Sequence, residues 1–166
     1  MYYKISDFIS DWEYEQGATL KIFKALTDES LKQKVNEQGR SLGRLACHIT
    51  VSIGEMMSKT GLSFDSPDEE SDIPHSAAQI SKAYDSVSNA LKAAVESSWN
   101  DDSLNQEDDM YGQKWKRGVT LGILITHQIH HRGQITVLMR QAGLKVAGIY
   151  GPAYEEWEAM GMAPMV

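Results

Sequence analysis

Apolar residues recur at intervals of three and four in four separate stretches of this chain, the spacing that puts them on one face of a helix. Phe8, Ile9, Trp12, Leu20, Phe23 and Leu26 predict a long first helix opening near Ser6 as N-cap, with Asp7 and Asp11 in its first turns, where the helix dipole favours negative charge. Leu42, Leu45, Ile49, Ile53, Met56 and Met57 predict a second helix from about Ser41 to Lys59, with Gly61 as its stop. Ile80, Tyr84, Val87, Leu91 and Ala94 mark a third from Ser76 to about Trp99, and a fourth runs from about Val119 to Ala142, closed by Gly143.

The intervening pieces read differently. Residues 62–75, with Ser, Asp, Glu and two prolines, form a solvated loop. The acidic stretch through Asp101, Asp102, Glu107, Asp108 and Asp109 leads into Met110–Arg117, a turn or short hairpin. In the tail, Gly151-Pro152 suits the start of a short fifth helix from which Trp157 packs back. The expected fold is therefore all-α, a four-helix bundle with a short C-terminal helix and one core, in a single domain spanning residues 1–166.

Composition narrows the function classes. A chain of 166 residues with 23 acidic and 16 basic side chains carries a net charge of −7, which repels nucleic acid, and no dense basic run offsets it. Trp115-Lys116-Arg117 is too short to be a binding patch and reads as a helix-entry turn. No stretch approaches a membrane span, the N-terminus lacks the apolar block of a signal peptide, and the single cysteine, Cys47, fits a reducing cytoplasm.

The fourth helix carries an anomaly. Its inner stripe is Leu124, His127, His131, Ile135 and Leu138, so two imidazoles one turn apart stand where Leu or Ile is expected. Their directions differ by about 40° in an ideal helix, close enough for both to reach one ion at roughly 2.1 Å. Two neutral histidines hydrogen-bonded to backbone or to each other would fit the same spacing. His48, about 60° of rotation beyond Leu45 on the second helix, is the third candidate ligand, although a lone histidine there also has an ordinary packing role. Three imidazoles with a position left open describe a catalytic metal centre rather than a closed structural one.

The remaining reactive side chains are weaker candidates. His130 lies about 100° from His131 and belongs to the helix flank, while His75 beside Pro74 suits a loop or cap. Cys47 and His48 point about 100° apart and cannot form a dyad. Glu55, two turns beyond His48, is either a solvated charge or a group that orients a ligand or acts as a base. Gly133 suits close helix packing, and Gln134, about 60° from His131, is within reach of the site. Residues 62–75 and 100–117 are expected to frame the pocket.

Together, Leu42-Gly43-Arg44-Leu45-Ala46-Cys47-His48-Ile49, Thr126-His127-Gln128-Ile129-His130-His131-Arg132-Gly133-Gln134 and the Tyr150-Gly151-Pro152 tail resemble the DinB family of bacterial metal-binding proteins over most of the chain. The resemblance implies a homodimeric four-helix bundle with a metal site at His48, His127 and His131. Members with known activity look like metal-dependent transferases of low-molecular-weight thiols, including bacillithiol and mycothiol enzymes. The leading expectation is a transferase that conjugates such a thiol to an electrophilic small molecule with the help of a divalent ion, zinc or nickel. A metal-dependent hydrolase, a non-catalytic metal-binding stress-response protein and a metal-free interaction module are the alternatives.

Overall fold

The computed structural model describes residues 1–68 and 76–163. Four helices dominate it: α1 (Ile5–Lys24), α2 (Leu42–Ser58), α3 (Ala77–Ser98) and α4 (Arg117–Gln141). Between α3 and α4 a hairpin forms from β1 (Glu107–Met110) and β2 (Gln113–Lys116), antiparallel, with Met110 opposite Gln113. The helix ends of α2 follow local chemistry: the Ser41 side chain accepts the Arg44 N–H at 3.2 Å, and Gly61 adopts φ +75° just beyond the last turn.

Elsewhere long-range contacts override the local signals. The N-cap of α1 is Lys4 rather than Ser6, and the free Ile5 N–H is taken by Asp101 Oδ1 at 2.8 Å, from the turn after α3. Helix α4 begins at Arg117, two residues before the expected Val119. The Arg117 guanidinium holds Asp108 Oδ2 at 2.9 Å and the Thr60 carbonyl at 3.0 Å, and stacks over Trp99 at 4.9 Å.

The tail does not form a fifth α-helix. It makes two 3-10 turns, Tyr154–Glu156 and Glu158–Met160, with Trp157 half-buried between them. Its backbone donors are taken by carboxylates instead of a helical ladder, since Glu156 accepts the N–H groups of Gly148 and Ala153 at 2.9 and 3.0 Å.

Around the bundle the helices stand in the order α1, α3, α2, α4, so α2 and α4 are neighbours although the hairpin and α3 separate them in sequence. The core is filled by Phe8, Trp12, Ile22 and Phe23 of α1, Leu42, Ile49, Ile53 and Met57 of α2, Tyr84, Leu91 and Val95 of α3, and Leu121, Ile135 and Leu138 of α4. Each such side chain contributes about 1.5–3 kcal/mol on burial. On α3 the stripe ends at Val95, fully buried, rather than at Ala94. The start of α4 is crowded by the N-terminal segment: Tyr2 N–H donates to the Gly118 carbonyl at 2.9 Å, and a Cβ at Gly118 would stand 2.1 Å from the Tyr2 carbonyl oxygen. No described helix is long and apolar enough to cross a membrane.

Candidate metal centre

Because α2 and α4 lie side by side, His48 on one meets His127 and His131 on the other. His127 Nε2 is 3.2 Å from both His48 Nε2 and His131 Nε2, and the ligand atoms of the three rings all lie within 4.8 Å of one another. Nitrogens 3.2 Å apart subtend roughly 100° at an ion about 2.1 Å from each, which is compatible with tetrahedral coordination. Among the described residues this is the one group of three or more His, Cys, Asp or Glu side chains placed to share a metal ion.

Hydrogen bonding around the rings sets their lone pairs. The Gln134 amide nitrogen donates to His130 Nε2 at 3.1 Å, which turns its oxygen toward His131, where it accepts the Nδ1–H at 2.8 Å. His131 Nε2 is thereby left as a lone pair. His127 Nε2 faces two imidazole nitrogens and has at most one proton to offer. A shared cation satisfies all three, whereas on neutral rings a single His127 Nε2–H cannot point at both neighbouring nitrogens at once. The donor set thus fits a divalent ion on its own chemistry.

The rings also resist protonation. Burial is the largest cause in every case, lowering His48 to about 4 and moving His127 and His131 in the same direction. The neighbouring rings and the Arg40 guanidinium push the same way, while the Gln134 hydrogen bond partly opposes the shift at His131. Neutral imidazole is the form that binds metal.

Two clefts meet the cluster. One, about 450 Å³, is lined by Arg40, Leu45, His131, Gln134, Val137 and Leu138 with the loop residues Val35 and Gly39. The other, about 340 Å³, is lined by His48, His127, Ser52, Glu55, Tyr111 and neighbouring apolar side chains. Of the segments expected to frame the pocket, the hairpin contributes Tyr111, while 62–68 lines neither cleft and residues 69–75, with His75, lie outside the described residues. The loop before α2 takes that place, a role with no signature in the sequence.

Glu55 is neither an isolated surface charge nor a free base. Its carboxylate accepts the Tyr111 hydroxyl at 2.6 Å and pairs with Lys59 at 3.0 Å, while the Lys59 ammonium lies 4.8 Å from the Tyr111 ring centroid. Tyr111 reaches it from the two-residue hairpin turn, at φ +57° beside Gly112 at φ +81°. A non-glycine residue there costs about 1–2 kcal/mol.

The other expectations divide. Cys47 is buried and its thiol is pushed up to about 11 by desolvation, which opposes thiolate formation and fits a packing role. His130 is exposed on the helix flank and bonds Gln134. Gly133 does not serve close helix packing: it faces open space, with nothing within 4 Å of where a Cβ would stand.

Arg132 is the residue the sequence reading underestimated. It is 2% exposed and pairs with Glu15 of α1 at 2.7 Å, and its guanidinium also donates to Thr19 Oγ1 at 3.0 Å and Tyr150 Oη at 2.6 Å. Tyr150 in turn donates to Glu15 Oε1 at 2.6 Å, so the tail is tied both to α1 and, through Arg132, to the helix that carries two of the three histidines. Glu15 and Gln16 on the inner face of α1 were the available sign that a buried charge needed a partner.

Comparison with known proteins agrees with this architecture. An uncharacterised Bacillus subtilis protein, YrdA, is 46% identical over 162 residues, covering 98% of this chain and 97% of its own. The crystal structure of a DinB-like protein from Bacillus cereus ATCC 10987 superposes with a TM-score of 0.88 at 43% identity, over 90% of this chain and 100% of that one. A second DinB-like structure, YjoA of Bacillus subtilis, shares the fold at a TM-score of 0.69 and 18% identity, covering 89% of this chain and 99% of its own. The DinB family model matches residues 1–164, and the chain therefore belongs to the DinB family.

Proposed function

We propose that the protein is a metal-dependent transferase that joins a low-molecular-weight thiol to an electrophilic small molecule, with His48, His127 and His131 as the ligands of a divalent ion, zinc or nickel. The observation that carries the reading is the convergence of three Nε2 atoms from two helices, with one cleft lined by His131 and another by His48 and His127. When bound, the ion supplies positive charge that favours the thiolate form of a thiol at neutral pH.

The chain's own part is positional. Gln134 fixes the His131 tautomer, burial keeps the rings neutral, and the two clefts give room for two reactants at one centre. In the transfer a sulfur–carbon bond forms, the leaving group departs with its electron pair, and the thiol proton passes to solvent. A homodimeric cytoplasmic protein acting on small molecules, without nucleic acid or membrane partners, completes the proposal.

The test has two parts. Elemental analysis of untagged wild type is expected to give about one divalent ion per chain, lost in His127→Ala. Metal-loaded protein is then assayed with several thiols and a chromogenic electrophile. No rate above buffer with any thiol at full metal occupancy overturns the transferase reading, and turnover of an activated ester without thiol replaces it with hydrolysis.

A further inference from the structure

The two clefts at the cluster differ in charge. The lining of the larger contains Arg40 and no carboxylate, in a chain whose net charge is −7, whereas the smaller holds Glu55 with its Lys59 counter-ion beside it. Arg40 is exposed and lines this cleft, and its guanidinium, five donors in a planar fork, makes no hydrogen bond or ion pair with any described residue.

Its backbone, by contrast, is held on both sides. Asn36 Oδ1 accepts the Gly39 N–H at 2.7 Å, and beyond Arg40 the Leu42 N–H donates to the Gln33 carbonyl at 2.8 Å. Apart from Arg40, the polar side chains of the lining are His131 and Gln134; the others are apolar, with Leu45 and Leu138 buried and Val35 and Val137 64% and 53% exposed. Exposed valines beside a guanidinium with no partner among the described residues form a surface that is apolar along its wall and cationic at one end, with His131 and Gln134 also in the lining.

We propose that this cleft is an oxyanion subsite, in which Arg40 takes the carboxylate or phosphate group of a small molecule whose hydrocarbon part lies on Val35, Val137 and Leu138 and whose reacting end lies toward His131. The last element rests on the transferase reading; the anion subsite stands without it. A guanidinium binds either anion through paired, charge-assisted hydrogen bonds, whereas a neutral amide of the same shape offers one acceptor and no charge.

The experiment uses the full, metal-loaded chain and three probes of similar length: pentanoate, butylphosphonate and pentanamide. Backbone amide shifts of Gly39, Gln134 and Leu138 are followed by NMR in wild type, Arg40→Gln and Arg40→Lys. At least one anionic probe is expected to bind about tenfold more tightly than pentanamide, with the advantage lost in Arg40→Gln and partly kept in Arg40→Lys. The tighter of the two anions identifies the class.

Equal affinity for pentanamide overturns the proposal. So does an anion preference that survives in Arg40→Gln, which places the anion on the metal instead. Since no probe carries a thiol or an electrophile, the result is independent of turnover: a subsite without transfer activity removes the proposed reaction, and transfer without anion preference removes the subsite.

Discussion

Gln134 decides which nitrogen of His131 faces the centre, and it does so through one amide group bonded on both sides. Gln134→Leu removes the Nδ1 acceptor while keeping similar bulk, and metal affinity is expected to fall about tenfold, measured by competition with a chromophoric chelator. Unchanged affinity would show that the ring is oriented by packing alone. His127 and His131 were legible because imidazoles on an apolar helix stripe contradict the pattern around them. Gln134 was legible as a neighbour only, since helix rotation brings it near His131 but says nothing about amide orientation. Arg40 had no signature, because its place at the cleft depends on how a loop crosses the end of α2.

At the level of elements, α4 sends three consecutive residues to three environments. Arg132 enters the interior to meet Glu15, Gly133 faces open space, and Gln134 joins the centre. Glu15→Ala strands the buried guanidinium and is expected to destabilise the protein by about 3 kcal/mol in urea unfolding, more than removal of the Tyr150 hydroxyl in Tyr150→Phe, about 1 kcal/mol. Gly133→Ala removes a flexible residue from a helix interior and is expected to gain about 0.5–1 kcal/mol. A loss instead, or a change of oligomeric state in sedimentation, would mean that a second copy covers this face. The sequence located α4 to within two residues, yet it did not separate these three roles, because a step of 100° per residue tells direction and not what waits there.

For the molecule as a whole, the cluster couples stability to pH and, under the proposed function, to metal. All three rings titrate below an unfolded histidine, near 6.5, so the unfolded chain takes up protons first as the pH falls. In metal-free protein their contribution to stability is complete above about pH 6.5 and is lost as the pH falls toward the native value of His48, about 4. Thermal unfolding of metal-free wild type and His48→Gln between about pH 7.5 and 4.5 checks this; the variant is expected to show the shallower decline. Free zinc at about a thousand times its dissociation constant is expected to stabilise wild type by about 4 kcal/mol and His127→Ala by much less.

Apolar periodicity alone determined four helices and one core, since a residue's place on a helix face is a local property fixed by 3.6 residues per turn. The same periodicity exposed His127 and His131 as out of place. Only the tertiary arrangement decided that α2 is the neighbour of α4, which makes His48 the third member of the cluster. It also decided that Asp101 caps α1, that Arg132 holds Glu15 and that Arg40 lines a cleft with His131. Each of these joins residues far apart in the chain, and their meeting is set by the packing of whole helices, on which the local pattern is silent.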